Sequence, residues 1–267
     1  MHPDTLKSLA HTRRSCLCVG LDTDPELLPP AVHGDVLAFN KAIIEATLPY
    51  ALAYKFNLAF YEAQGLAGWR ALEESLALIP EGYLTIADAK RGDIGNTARR
   101  YAQAFFEQLN FDAITVAPYM GHDSILPFLD YPGKWVFLLG LTSNAGAADF
   151  QLLNVQGQPL YQRVMQLAAS WLHAGQLGYV VGATRPEQLA ELRGLYPAAW
   201  FLVPGVGAQG GDLQAVMQAG WGQQAGILVN SSRGILYASS GPDYAEAAAR
   251  EAQQLQLQME ALLRQHV

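Results

Sequence analysis

The sequence predicts a (β/α)8 barrel, the TIM barrel architecture, formed as a single domain over residues 1–267. Eight short, nearly continuous apolar runs recur along the chain, and segments with helical periodicity lie between them. Near-continuous apolar strands that alternate with helices are typical of parallel sheets covered on both faces. The first run is followed by LDTDP rather than by the glycines of an open nucleotide-binding sheet. Eight such units in about 250 residues therefore favour a closed barrel.

Each element follows from its local pattern. The apolar runs predict strands over 15–22, 51–57, 83–90, 113–119, 135–143, 179–184, 200–206 and 226–232. Apolar residues spaced three or four apart predict helices over 35–48, 65–79, 97–109, 159–175, 185–195 and 244–265. No linker, internal repeat or low-complexity segment interrupts this order, which favours one domain.

Composition excludes several classes of protein. Hydrophobic residues make up 51% of the chain and charged residues 15%, against about 25% charged in an average domain, so a disordered chain is not expected. The net charge of -7 and the lack of a basic run argue against binding to nucleic acid or to an anionic membrane. The N-terminal segment has no apolar signal region, and no run reaches the roughly 18 apolar residues of a membrane span. We therefore expect a cytoplasmic protein.

The two cysteines do not suggest a metal centre. Cys16 and Cys18 lie two apart, so on a strand they share one face and are expected to be buried, reduced thiols. The chain contains no CxxC or HExxH motif, and its six histidines show no pair at ligand spacing. No metal site is therefore predicted from these residues.

Polar residues interrupt the apolar runs mainly where the predicted strands end. These residues are Asp22, Lys55, Asn57, Asp88, Lys90, Ser143, Asn144, Thr184, Ser232 and Arg233. The carboxyl ends of barrel strands build the active site of TIM-barrel enzymes. A single lysine there is explained by a side chain that extends from the rim into water. Several charges at one mouth must neutralise one another, because burial of an unpaired charge is expensive.

The charges are densest in the segment 86–97. Asp88 and Lys90 lie two apart on a strand and project to the same side, while the nearby glycines permit a turn that brings Asp93 back beside them. A lysine between two carboxylates stays protonated. Such an ammonium suits proton donation to a carbanion, whereas a Schiff base requires a neutral amine.

A second region has the composition of a phosphate site. The glycine-rich segment 204–211 follows the seventh predicted strand, and Arg233 follows the eighth. Loops at these two positions commonly bind phosphate in barrel enzymes through backbone N–H groups, and an arginine adds a bidentate contact.

The segment DAKRGDIGNT (88–97) resembles the signature of orotidine 5′-phosphate decarboxylases, D-x-K-x-x-D-I followed by a threonine. The similarity covers nearly the whole chain and is greatest to the longer bacterial branch of that family. It also includes CVGLD (18–22), YKFNLAFYE (54–62), PYMGHDS (118–124), LTSN (141–144), VVGAT (180–184), PGVGAQGGD (204–212) and VNSSRGI (229–235). The resemblance implies decarboxylation of orotidine 5′-monophosphate to UMP and CO2 without a cofactor, the last step of de novo pyrimidine synthesis. It also implies a homodimer with active sites shared at the subunit interface.

The resemblance assigns roles to individual residues. Lys90 would protonate C6 of the pyrimidine, beside Asp88 and beside Asp93 of the other subunit, and Lys55 would complete the charge array. The implied substrate-binding residues are Asp22 and Thr97 for the ribose, Ser143 and Pro204 for the base, and Gln209 and Arg233 for the phosphate. The resemblance gives no clear role to His122 or Asn144.

Two alternatives remain open. A metal-dependent sugar-phosphate decarboxylase or aldolase of the same superfamily shares the D-x-K-x-x-D motif, but such enzymes carry an acidic metal ligand where this chain has Lys55. A non-catalytic nucleotide-binding barrel is the other alternative, and the complete charge array argues against it.

Overall fold

A computed structural model of the chain describes residues 1–171, 175–206 and 210–264. Eight parallel strands form a closed barrel in which each strand pairs with the next along the chain and β1 pairs with β8. The strands are β1 (Leu17–Gly20), β2 (Ala53–Asn57), β3 (Leu84–Arg91), β4 (Ala113–Val116), β5 (Trp135–Leu141), β6 (Gln176–Val181), β7 (Trp200–Pro204) and β8 (Ile227–Ser231). The predicted (β/α)8 barrel is confirmed.

Helices connect these strands around the outside of the barrel. They are α1 (Pro3–Arg13), α2 (Val36–Thr47), α3 (Leu58–Glu62), α4 (Gly65–Ala77), α5 (Gly95–Gln103), α6 (His122–Leu129), α7 (Ala147–Phe150), α8 (Leu160–Ala169), α9 (Pro186–Leu195), α10 (Leu213–Gly220), α11 (Arg233–Leu236) and α12 (Tyr244–Leu263). A π-helical turn, Ala104–Gln108, continues α5. A small antiparallel hairpin pairs Asn154–Val155 with Gln158–Pro159 between α7 and α8.

The sequence pattern predicts the strands better than the helices. All eight predicted strands are present, most of them shorter by a few residues. Helix α1 was not predicted because it buries only Leu6 and Ala10 and so has almost no apolar face. Helix α6 was not predicted either, since Pro127 lies inside it and interrupts its pattern. The predicted helix over 159–175 is too long, because α8 ends at Ala169.

The core fills the barrel and the layer between strands and helices. Its largest buried side chains include Trp135 and Trp200, whose rings meet edge to face with centroids 6.4 Å apart. Cys16 and Cys18 are fully buried free thiols, as predicted. Burial raises the pKa of each thiol to about 12, so both are neutral at physiological pH. In the part of the chain that the structure describes, no helix is long and apolar enough to cross a membrane.

Candidate active site

A pocket lies at the carboxyl ends of the barrel strands, where the sequence predicts a functional site. Many of the predicted site residues line it, namely Asp22, Lys55, Asp88, Lys90, Ser143, Pro204 and Arg233. The polar residues Asn57, Thr115, Thr142, Asn144, Asn230 and Ser232 also line it. Leu139, Val180 and Leu202 contribute apolar surface, so charged and apolar walls face each other across one cavity.

Four charged side chains form an alternating chain along one wall of this pocket. Lys55 Nζ lies 3.2 Å from Asp22 Oδ1 and 3.1 Å from Asp88 Oδ2. Lys90 Nζ lies 2.6 Å from the other oxygen of Asp88, Oδ1. Lys55 is buried, with 3% of its surface exposed, whereas half of the Lys90 side chain is exposed.

The charge array keeps Lys55 and Asp88 ionised despite their burial. Burial alone would lower the pKa of Lys55, but the carboxylates of Asp22 and Asp88 outweigh it and raise that pKa above the usual value. Burial alone would raise the pKa of Asp88, but Lys55 and Lys90 outweigh it and hold that pKa well below the usual range. Lys55 and Asp88 are therefore fixed charges rather than groups that titrate near neutral pH.

The end of β3 departs from regular strand geometry at Lys90. The pairing of β3 with β4 shifts register between Ala87 and Arg91, and Lys90 has a φ of 46°. A residue other than glycine in this left-handed region costs about 1 kcal/mol or more. The following residue is firmly held, because Arg91 forms an ion pair with Glu62 and its carbonyl accepts a hydrogen bond of 2.8 Å from Ala117 N.

Thr115 on β4 contacts this irregular segment and was missed by the sequence analysis. Its hydroxyl accepts a hydrogen bond from Lys90 N at 2.9 Å and donates one to Asp88 Oδ1 at 3.0 Å. A threonine in an apolar strand is ordinary, so its residue type gives no signal. Side chains alternate between the two faces of a strand, so Thr115 lies on the opposite face from Ile114 and Val116. This alternation is the only sequence signal that could have placed Thr115 on the inner face.

A fully buried polar network holds the segment that carries Asp22. The Tyr61 hydroxyl donates to the carbonyl of Leu21 at 2.8 Å and accepts a hydrogen bond from Asn40 Nδ2 at 3.0 Å. Thr23 Oγ1 donates to Asn40 Oδ1 at 2.6 Å. The residues on both sides of Asp22 are thereby fixed to the helix layer behind the pocket.

A second pocket-lining residue, Asn230, is not among the site residues that the sequence predicts. Asn230 is buried on β8, and within the described residues its Oδ1 has no hydrogen-bond partner. Buried polar atoms are rarely left unsatisfied, so this oxygen is an exception within the barrel.

Two predicted site residues lie outside the pocket of this chain. The expected turn that returns Asp93 to Lys90 is not formed; Asp93 Oδ1 instead accepts a hydrogen bond of 2.8 Å from Ile94 N. Thr97 is exposed on α5 and does not line the pocket. The glycines of this segment permit a turn but do not determine its direction, and the chain enters α5 at Gly95.

Other predicted positions are less informative. Gln209 lies outside the described residues. Asn144 lines the pocket and its Oδ1 accepts a hydrogen bond of 2.6 Å from Thr142 Oγ1. His122 begins α6, where its ring lies 4.8 Å from that of Trp171, and it does not line the pocket. Among residues 1–171, 175–206 and 210–264, no group of three or more His, Cys, Asp or Glu side chains is arranged to hold a metal ion.

A charged pocket at the carboxyl ends of a closed parallel barrel is the arrangement found in TIM-barrel enzymes. Residues 15–250 match the family model described as the orotidine 5′-phosphate decarboxylase / HUMPS family. The chain belongs to this family.

Individual relatives agree with the family match. The chain is 49% identical over 258 residues to the orotidine 5′-phosphate decarboxylase of Phocaeicola vulgatus, and the match covers 94% of this chain and 95% of that protein. The structure of Leishmania donovani OMP decarboxylase is similar with a TM-score of 0.79 and 41% identity, over 95% of this chain and 98% of that one. Leishmania donovani UMP synthase is similar with a TM-score of 0.83 and 44% identity; the match covers 95% of this chain but 56% of that longer one.

Proposed function

We propose that this protein decarboxylates orotidine 5′-monophosphate to UMP and CO2 without a cofactor. The observation that carries the proposal is the unbroken chain of ion pairs Asp22–Lys55–Asp88–Lys90 on the wall of the pocket. The family match supports the same reaction. So does a relative that is 49% identical and is named orotidine 5′-phosphate decarboxylase.

The proposed chemistry uses Lys90 as the proton donor. The bond between C6 and the carboxylate breaks, its electron pair remains on C6, and CO2 leaves. A proton then moves from Lys90 Nζ to C6, and the lysine regains a proton from water. A fixed ammonium stabilises the charge that develops on C6 more than it stabilises the bound substrate, which is the requirement for catalysis.

The other members of the array maintain this ammonium. Asp88 contacts both lysines, so it holds Lys90 near the reacting carbon and lies close to the departing carboxylate. Lys55 lies between Asp22 and Asp88, and its positive charge offsets the repulsion between their two carboxylates.

The remaining pocket residues suit the parts of the nucleotide. We assign Asp22 and Lys55 to the ribose hydroxyls, and Ser143 and Pro204 to the pyrimidine; all four line the pocket. We assign the phosphate to Arg233, which lines the pocket at the start of α11 after β8, and, from the family resemblance alone, to Gln209. Binding of the phosphate then contributes energy at a distance from the reacting carbon.

We further propose that two subunits complete each site. Asp93 and Thr97 lie outside the pocket of their own chain, on a segment next to exposed apolar residues. Ile94 is 57% exposed and Tyr119 90% exposed, and the Tyr119 ring lies 6.4 Å from that of the exposed Phe150. Exposed apolar side chains of this kind favour a protein interface. A second subunit docked there would bring its own Asp93 and Thr97 to the neighbouring pocket.

The metal-dependent alternative is not favoured. Enzymes of that type need an acidic ligand on the second strand, whereas β2 of this chain provides Lys55, whose ammonium lies between Asp22 and Asp88. The space in which a cation would bind between these carboxylates is thus filled by a side chain.

The test is a spectroscopic assay of the purified protein. We expect the ultraviolet absorbance of orotidine 5′-monophosphate to decrease with equal rates in buffer and in excess EDTA. Activity that EDTA abolishes and Mg²⁺ restores would favour the metal-dependent alternative. Binding of UMP without turnover of the substrate would favour a non-catalytic nucleotide-binding barrel.

A further inference from the structure

We propose that Thr115 is a positioning residue, whose hydroxyl fixes the Lys90 backbone relative to the Asp88 carboxylate and so directs the Lys90 ammonium toward the substrate. The inference rests on the proposed function, because Lys90 is the proton donor there. Thr115 is 1% exposed and lies on β4, opposite the point where β3 changes register.

The hydrogen bonds of Thr115 have a defined direction. The Lys90 N–H donates to its oxygen at 2.9 Å, and this oxygen lies 3.0 Å from Asp88 Oδ1. A hydroxyl has one proton, and an ionised carboxylate can only accept. The Thr115 proton must therefore point to Asp88, and the hydroxyl joins the backbone of one residue to the side chain of the other.

These contacts close a ring around Lys90. Asp88 Oδ1 accepts a hydrogen bond from Thr115 and also from Lys90 Nζ at 2.6 Å. One hydroxyl thus holds the lysine at its backbone directly and at its ammonium through the carboxylate. Among the described residues, the ammonium forms no ion pair with any other carboxylate, so the orientation of the half-exposed Lys90 side chain depends on where Asp88 is held.

The backbone at Lys90 requires such a support. A residue in a regular strand donates its N–H to a carbonyl of the neighbouring strand, but the register shift between Ala87 and Arg91 removes Lys90 from that pattern. Its N–H bonds to the threonine side chain instead. Loss of the hydroxyl would leave this N–H without its acceptor and release the left-handed turn on which the ammonium is mounted.

The test compares Thr115→Val, Thr115→Ala and Thr115→Ser with the wild type. Thr115→Val and Thr115→Ala remove the hydroxyl with different steric consequences, and each is expected to lower kcat about 10- to 100-fold. Thr115→Ser retains the hydroxyl and is expected to keep kcat within about fivefold of wild type. The Kd of UMP should change by less than about threefold in all three, because the phosphate and base contacts are elsewhere.

Thr85→Val is the matched control. Thr85 is also a mostly buried strand threonine, and its hydroxyl donates to Asp112 Oδ2 at 3.0 Å, away from the pocket-lining residues. We expect Thr85→Val to lose about as much thermal stability as Thr115→Val but to keep kcat within about twofold of wild type.

The outcomes are distinguishable. Wild-type kcat in Thr115→Val and Thr115→Ala would overturn the inference alone, as would equal losses in Thr115→Ser and Thr115→Ala. A parallel loss of kcat and UMP binding would indicate a purely structural role and also overturn it. Absence of decarboxylation by the wild-type protein would overturn the proposed function and this inference with it.

Discussion

The ammonium of Lys90 lies 2.6 Å from Asp88 Oδ1, although these residues are only two apart and the Lys90 backbone is left-handed. In a regular strand the two side chains would project side by side, with no requirement to meet. The register shift at the end of β3 and the φ of 46° bring the ammonium onto the carboxylate. Local backbone strain is thus located at the residue to which we assign proton transfer, as is common at functional sites.

The first prediction concerns Lys90 itself. Lys90→Ala removes the proposed proton donor and the positive charge beside C6, so we expect kcat for orotidine 5′-monophosphate to fall by about 10⁴-fold or more. UMP should still bind measurably, because the proposed phosphate contacts lie across the pocket. Isothermal titration calorimetry with UMP and the ultraviolet assay measure the two effects separately.

An exposed lysine provides the control for this variant. Lys41→Ala on α2 removes the same side chain away from the pocket and should leave both kcat and UMP binding unchanged. Turnover by Lys90→Ala at a rate near that of Lys41→Ala would contradict the assignment.

The second prediction concerns the pH dependence of stability. The lysines beside Asp88 hold its pKa in the folded protein below the unfolded value of about 3.9. The ionised carboxylate therefore stabilises the fold above about pH 4, and this contribution is lost as the pH falls through the folded-state pKa. Lys55 is protonated in folded and unfolded protein throughout this acidic range, so it adds no slope there.

The measurement is urea unfolding of wild type and Asp88→Asn between pH 3 and pH 7. We expect the variant to be less stable by about 2 kcal/mol at pH 7, because Lys55 loses one of its two buried partners. The difference in the free energy of unfolding should shrink below about pH 4. A difference that stays constant or grows toward acid would show that Asp88 is not held ionised by its neighbours.

Much of the site could be predicted from the sequence for a simple physical reason. Asp22, Lys55, Asp88 and Lys90 are charges at the ends of apolar strands, and parallel strands of a barrel end at one mouth. Buried charges at one mouth must pair with one another, so the strand pattern was sufficient to predict that these four side chains lie together.

The features that were not predicted depend on pairing between elements. The register shift at Ala87–Arg91 is a property of how β3 fits β4, which leaves no mark in either strand alone. The role of Thr115 follows from this shift, because the Lys90 N–H donates a hydrogen bond to its hydroxyl instead of to a strand carbonyl. The glycines predict a turn that folds Asp93 toward Lys90, whereas Asp93 does not line the pocket and accepts a hydrogen bond from Ile94 N.

The third prediction concerns the proposed phosphate site. Arg233→Ala removes a guanidinium from the pocket rim after β8, and we expect kcat/KM to fall about 10²-fold or more, mainly through a higher KM. Arg250→Ala is a matched control, since Arg250 lies on α12 and forms an exposed ion pair with Asp243. Equal kinetics of the two variants, measured in the ultraviolet assay, would remove the phosphate assignment from Arg233.

The fourth prediction tests whether two chains share each site. Asp93→Ala and Lys90→Ala homodimers should each be nearly inactive, because every site in them lacks one of the two side chains. In a heterodimer, one site combines both defects, whereas the other receives wild-type Lys90 from one subunit and wild-type Asp93 from the other. We therefore expect about half of the wild-type activity per heterodimer, measured on complexes purified with two different affinity tags.

Two further results would decide the matter. Mixtures of each variant with itself should stay inactive, which excludes contamination by wild-type protein as the source of recovered activity. Heterodimers of verified composition that show no recovery would indicate that each pocket functions with the side chains of one chain. Wild-type activity of the Asp93→Ala homodimer would instead show that Asp93, which accepts a hydrogen bond from Ile94 N and lies outside its own pocket, has no part in the reaction.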